Sequence, residues 1–85
     1  MTVREIVKNV LHEYFLSNYG LDIDIDEKEN IFTGRYFDAL DLVELEMDMN
    51  RHFKIELEYA FKKWEYGTIK DIVDSIEDKL KEEGL

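Results

Sequence analysis

Residues 38–49 read Asp38-Ala39-Leu40-Asp41-Leu42-Val43-Glu44-Leu45-Glu46-Met47-Asp48-Met49, and their division into carboxylates and apolar side chains decides the fold class. Leu42, Leu45, Met49 and Phe53, joined by Val43, recur at helical spacing and form one apolar stripe. Asp41, Glu44, Asp48 and Arg51 recur at the same period and read as the opposite, solvent-facing stripe. Between Asp38 and Asp48 there are five acids and no base. Asp38 suits the N-cap, and Asp41 places a carboxylate in the first turn, where the helix macrodipole favours it. Met47 lies beside Glu44 and Arg51 on the wheel and is expected to be exposed. The stretch is an amphipathic helix that needs neighbours to cover its inner face.

Those neighbours are legible on both sides. Val3, Ile6, Val7, Val10, Leu11 and Tyr14 form a helical stripe preceded by Thr2 and Glu5 at capping-box spacing, and Gly20 marks the exit. The pattern predicts a first helix over about residues 3–17. Leu57 to Trp64 reads as a short third helix, with Tyr59, Ala60, Phe61 and Trp64 as contacts. Gly67 breaks the chain. Thr68 and Asp71 then start a fourth helix whose stripe is Ile69, Ile72, Val73, Ile76 and Leu80, ending near Gly84. Residues 18–37 form a long first connection. Its Leu21-Asp22-Ile23-Asp24-Ile25-Asp26 run alternates like a strand, but no second run exists to pair with it, and a lone strand is not stable. The isoleucines and Phe32 are expected to cover the core. The reading is all-α: one domain over residues 1–85, a small four-helix bundle with a long first loop.

Composition narrows the function. A chain of 85 residues, 45% hydrophobic and 38% charged, supports one modest core and is too apolar for a disordered tail. No window approaches the ~18 apolar residues of a spanning helix, and no apolar signal core opens the chain, so a cytoplasmic monomer is expected. Twenty-one acids against eleven bases leave a formal charge of −10. That charge disfavours nucleic acid and anionic membrane surfaces and points to basic proteins or cations as partners.

Catalytic and metal-binding patterns are missing. Cys is absent, which removes disulfides, thiolate zinc sites and thiol catalysis by the chain's own residues. The Asp-rich run starting at Asp22 fails as a calcium loop, because Glu27 and Thr33 stand where that loop needs Gly and Glu. His12 and His52 lie on different helices without an evident carboxylate partner, and Ser17 and Ser75 lack the partners of a nucleophile. Trp64 reads as packing. Gly20, Gly34, Gly67 and Gly84 are isolated and build no phosphate loop. No enzyme is expected.

The segment from Asp38 to Leu45 resembles the Asp-Ser-Leu-Asp-x-Val-Glu-Leu signature of acyl carrier proteins, with one residue changed. The likeness continues through Met47, Phe53, Glu56 and Leu57, and the placement after a long loop in a four-helix chain also fits. The resemblance implies a 4′-phosphopantetheine arm at the start of helix two, carrying acyl groups as thioesters in fatty acid or polyketide-type synthesis. It maps the cofactor-binding positions onto Asp38, Ala39 and Leu40, and the partner-binding face onto Asp38, Asp41, Glu44, Met47 and Asp48. Partners implied are basic patches of acyl-chain synthases and a phosphopantetheinyl transferase. A helix N-terminus, with free N–H groups and a positive dipole end, suits the arm's phosphodiester.

The departure falls on the attachment residue. Ala39 stands where the family has serine, and a methyl group cannot form the phosphodiester. The first reading is an engineered Ser→Ala change, which gives a carrier that cannot be modified. The alternatives are an acidic helical docking subunit that naturally lacks the arm, or a carrier for aminoacyl or peptidyl groups with the same fold. Arg35, Tyr36, Asn50 and Arg51 also differ from the usual pattern, and the segment after Leu57 lacks the family's proline.

Self-repulsion of a −10 surface should limit stability at low ionic strength. The melting temperature, followed by circular dichroism, is expected to rise when salt or millimolar divalent cation is added. A flat response would show that acid–acid repulsion does not limit the fold.

Overall fold

The structure, a computed structural model, describes residues 2–22, 26–28, 39–64 and 67–84. Four helices account for most of these: α1 (Val3–Tyr19), α2 (Ala39–Phe53), α3 (Phe61–Trp64) and α4 (Ile69–Glu82). Helix α1 packs on α2 and on α4, and the short α3 bridges α2 and α4. The chain is therefore the expected all-α four-helix domain, with no strand among the described residues. The long connection's Ile23, Ile25 and Phe32 lie outside the described residues, as does Asp38.

Each helix end has a local cause. At α1, the Glu5 N–H donates to Thr2 Oγ1 and the Thr2 N–H donates to Glu5 Oε1, both at 3.2 Å. The capping box that the sequence predicts is present, and those bonds hold the Glu5 carboxyl below its ordinary value. Helix α1 runs on to Tyr19 and ends where Gly20 turns left-handed at φ 65°, returning its N–H to the Leu16 carbonyl at 3.0 Å. At α4, the Asp71 carboxylate accepts the Thr68 N–H at 2.7 Å. That carboxylate folds back over Gly67, where a Cβ would sit 2.8 Å from Asp71 Oδ2 and would push the capping carboxylate aside.

The core draws on the predicted stripes. Val7, Val10, Leu11 and Tyr14 of α1, Leu42, Leu45 and Met49 of α2, and Ile69, Ile72, Val73 and Ile76 of α4 are buried. Phe15 continues the α1 stripe and is fully buried, although the periodic reading stopped at Tyr14. Trp64 is also fully buried, and its indole N–H donates to Ser75 Oγ at 3.2 Å. Burying an aromatic of this size while satisfying its N–H anchors α3 to α4.

The third helix corrects the sequence reading. Only Phe61–Trp64 is helical, and residues 57–60 run irregularly. Side chains of α2 hold that run. Asn50 Oδ1 accepts the Leu57 N–H at 2.8 Å, and Glu46 Oε1 accepts the Ala60 N–H at 2.6 Å. Tyr59 sits between them at φ 57°, a left-handed conformation that a helix cannot continue through.

Glu46 is the second correction. The sequence counts it among the acids of helix two, but its side chain turns inward and the residue is 7% exposed. Its place on the wheel puts it on the α3 flank, where the N–H groups that open α3 need an acceptor. Burial pushes its carboxyl pKa up, and the backbone hydrogen bonds from Ala60 and Phe61 pull only partly back.

A carboxyl whose pKa is raised on folding favours the fold when protonated, and that contribution is lost as pH rises through the folded value. We expect the melting temperature of Glu46→Gln, minus that of the unchanged chain, to become more positive as pH is raised from below 4.5, the ordinary carboxyl value. Thermal melts of both proteins across that range measure it. A difference independent of pH would show that Glu46 titrates as it does in the unfolded chain.

Candidate functional site

Helix α2 presents four sides, and its charged residues do not share one of them. Leu42, Leu45 and Met49 face the core, and Glu46 faces α3. Leu40, Glu44, Met47 and Arg51 follow one another at helical spacing and are all exposed. Leu40 is 66% exposed and Met47 is 54% exposed, two large apolar side chains on the outermost line of the helix. The expected exposure of Met47 is observed.

Asp41 and Asp48 lie on the remaining flank, beside α1. Tyr14 of α1 places its hydroxyl 2.6 Å from Asp41 Oδ1 and 2.9 Å from Glu44 Oε2. Tyr19 donates to the other oxygen, Asp41 Oδ2, at 2.8 Å. Tyr14 is buried, at 5% exposure. Desolvation, followed by the two carboxylates, pushes the Tyr14 hydroxyl well above the ordinary phenol range, so it stays a donor. One phenolic proton is thus shared between two acceptors. Asp48 forms an ion pair with Arg51 one turn along.

The stripe Asp41–Glu44–Asp48–Arg51 was expected to point away from the bundle. Glu44 and Arg51 are exposed as expected, whereas Asp41 and Asp48 border the seam between α1 and α2, where α1 carries two tyrosines long enough to reach across with a donor. The outermost line runs through Leu40, Glu44, Met47 and Arg51. Sequence reading placed Tyr14 with the apolar stripe and gave Tyr19 no role. The signal was present in the residue type: a tyrosine closing an apolar stripe brings a hydroxyl that needs a partner, where phenylalanine would not.

A groove of about 510 Å³ runs along the same seam, lined by Ile6, Asn9, Val10, Glu13, Tyr14, Ser17, Asn18, Asp48 and His52. A smaller depression of about 340 Å³ shares Tyr14, Asn18 and Asp48 with it and opens toward Glu44, Met47 and Arg51. His12 lies elsewhere on α1 and does have a carboxylate partner, with Nε2 and Asp22 Oδ1 2.6 Å apart. Arg4 donates to Glu27 at 2.7 Å, and that hydrogen bond, foremost among the causes, holds the Glu27 carboxyl low.

Among the positions named for an arm, Asp38 lies outside the described residues, and Ala39 is the first residue of α2. Alanine offers no oxygen for a phosphodiester, so the residues present do not fit a covalent 4′-phosphopantetheine. Among the described residues, no group of three or more His, Cys, Asp or Glu is arranged to hold a metal ion. No described helix is long and apolar enough to cross a membrane. The chain matches no protein-family model, no curated protein and no solved structure.

The Tyr14 bridge has a measurable consequence. Tyr14→Phe keeps the ring's packing and removes the hydroxyl from Asp41 and Glu44. It should lower stability by about 1 kcal/mol, the usual net worth of such a hydrogen bond. Denaturant unfolding of the variant and parent, with unchanged m-values, would measure it. No loss would mean that water replaces the hydroxyl without penalty.

Proposed function

We propose that this is an acyl-carrier-type protein that meets its partners through α2, in a form whose position 39 cannot hold the arm. One observation carries the reading: Leu40 and Met47 stand exposed on one line of α2 with Glu44 between them and Asp41 and Asp48 alongside. An apolar anchor flanked by carboxylates suits a basic partner surface with a small apolar recess. The match of residues 38–45 to the carrier signature, Ala39 apart, supports the same reading. The partners proposed are basic patches of acyl-chain synthases and of a phosphopantetheinyl transferase.

Ala39 itself favours a second reading, a docking subunit that naturally works without an arm. The codon at position 39 of the encoding gene separates the two. A serine codon would mean a carrier altered for study, and an alanine codon would mean a docking subunit.

The direct test restores one oxygen atom. Ala39→Ser, incubated with coenzyme A and a broad-specificity phosphopantetheinyl transferase, is expected to gain the mass of one arm. The Ala39 protein should gain none under the same conditions. Alanine exceeds serine in helix propensity by about half a kcal/mol, so the serine variant should remain folded. A folded serine variant that stays unmodified would overturn the carrier reading and leave the docking subunit.

The surface is tested separately. Glu44→Lys should slow association with that transferase, and the effect should shrink at high salt, as steering by a rim charge does. Met47→Ala should weaken binding without salt dependence. An equal effect from Glu82→Lys, at the end of α4, would mean net-charge attraction with no defined face.

A further inference from the structure

The groove between α1 and α2 is not needed for the outer face of α2 to work, and its chemistry is specific. Its floor is apolar, formed by Ile6 and Val10 with the Tyr14 ring. Its rim carries Glu13 on the α1 side, and on the α2 side His52 and Asp48, the latter paired with Arg51. Through the smaller depression it continues to Met47 and Glu44. From Ile6 to Asn18 the α1 wall spans thirteen residues, or roughly 18 Å at the helical rise.

We propose that this groove is a docking cleft for a basic amphipathic helix contributed by a partner protein. The proposal takes from the reading above only that the α2 flank meets basic partners. An occupant must supply an apolar strip for Ile6, Val10 and Met47 and cations for Glu13 and Glu44, Asp48 being paired already with Arg51. A helix of about three turns with leucines on one face and lysines beside them meets both demands, because lysine stems pack along apolar surface while their ammonium groups reach the rim. The charge argues against the other occupants. A fatty acid would bring its own carboxylate to the Glu13 rim. A second copy would bring a net charge of −10 against −10.

The probe is a synthetic leucine–lysine peptide of about 14 residues, long enough to span the groove at 1.5 Å per residue. It is titrated into the full ¹⁵N-labelled chain beside a scrambled peptide of identical composition that cannot form an amphipathic helix. Amide shifts are expected at Val10, Glu13 and Asp48. The ordered peptide should bind at least ~10-fold more tightly than the scrambled one, since the apolar floor rewards only a continuous strip. Glu13→Lys should weaken binding by at least ~5-fold. Ser17→Trp, which fills the groove without changing charge, should weaken it comparably, and circular dichroism confirms that both variants stay folded.

Shifts confined to Leu40, Glu44, Met47 and Arg51, with Glu13→Lys and Ser17→Trp inert, would overturn the groove and leave the outer-face reading standing. Equal binding of the scrambled peptide, or an equal loss from Glu82→Lys, would overturn it in favour of diffuse charge attraction. Failure of Ala39→Ser to accept an arm would remove the carrier assignment and leave these results unaffected.

Discussion

The rotation of α2 about its own axis is the constraint on which the rest of the structure depends, and three contacts at different azimuths hold it. Leu42, Leu45 and Met49 point into the core. Glu46 reaches the Ala60 N–H on one flank at 2.6 Å. On the other flank Asp41 and Glu44 take the Tyr14 hydroxyl. Turning the helix by a quarter turn would strand a carboxylate against apolar side chains and leave buried N–H and O–H groups without acceptors, each a penalty of about 1–3 kcal/mol. The exposed line of Leu40, Glu44 and Met47 is what these contacts leave over.

Holding α2 with carboxylates has a consequence for a protein of −10 net charge. A face of five acids would repel itself along the helix, since like charges one turn apart are unfavourable. The structure disperses that charge into different environments. Glu46 is buried against backbone donors, Asp41 and Glu44 are damped by phenols, and Asp48 is paired with Arg51. Glu44 remains on the outermost line, between two exposed apolar side chains, which makes the surface amphipathic rather than simply acidic. On the proposed reading, apolar fit would discriminate among basic partners while long-range charge would govern encounter.

The same arrangement opens the seam toward α1. Tyr14 and Tyr19 reach across to Asp41, and Asn18 turns back to donate to the Tyr14 carbonyl at 2.9 Å. Further along, α1 offers Val10 and Ile6 where α2 offers Asp48 and His52, and the helices leave a groove between them. At the far side, Trp64 and Glu46 together fix α3, a helix too short to be stable by itself. The exposed line and this groove therefore lie on α1 and α2, while α3 and α4 pack behind them.

The four-helix order, the caps at Thr2 and Thr68, the exit at Gly20 and most of the core were legible in the sequence, because helical period and capping chemistry are local and each apolar stripe declares its inner face. The exposure of Met47 was legible for the same reason. Three things were decided only by tertiary structure. Glu46 looks like any other acid of α2 until the chain folds the α3 N–H groups over it. Tyr14 looks apolar until α2 brings two carboxylates to its hydroxyl. Residues 57–60 read as helix until Asn50 and Glu46 take their backbone donors and Tyr59 turns left-handed. In each case a polar group found its partner on a segment remote in sequence, and a pattern read along one helix carries no information about what another helix will bring to it.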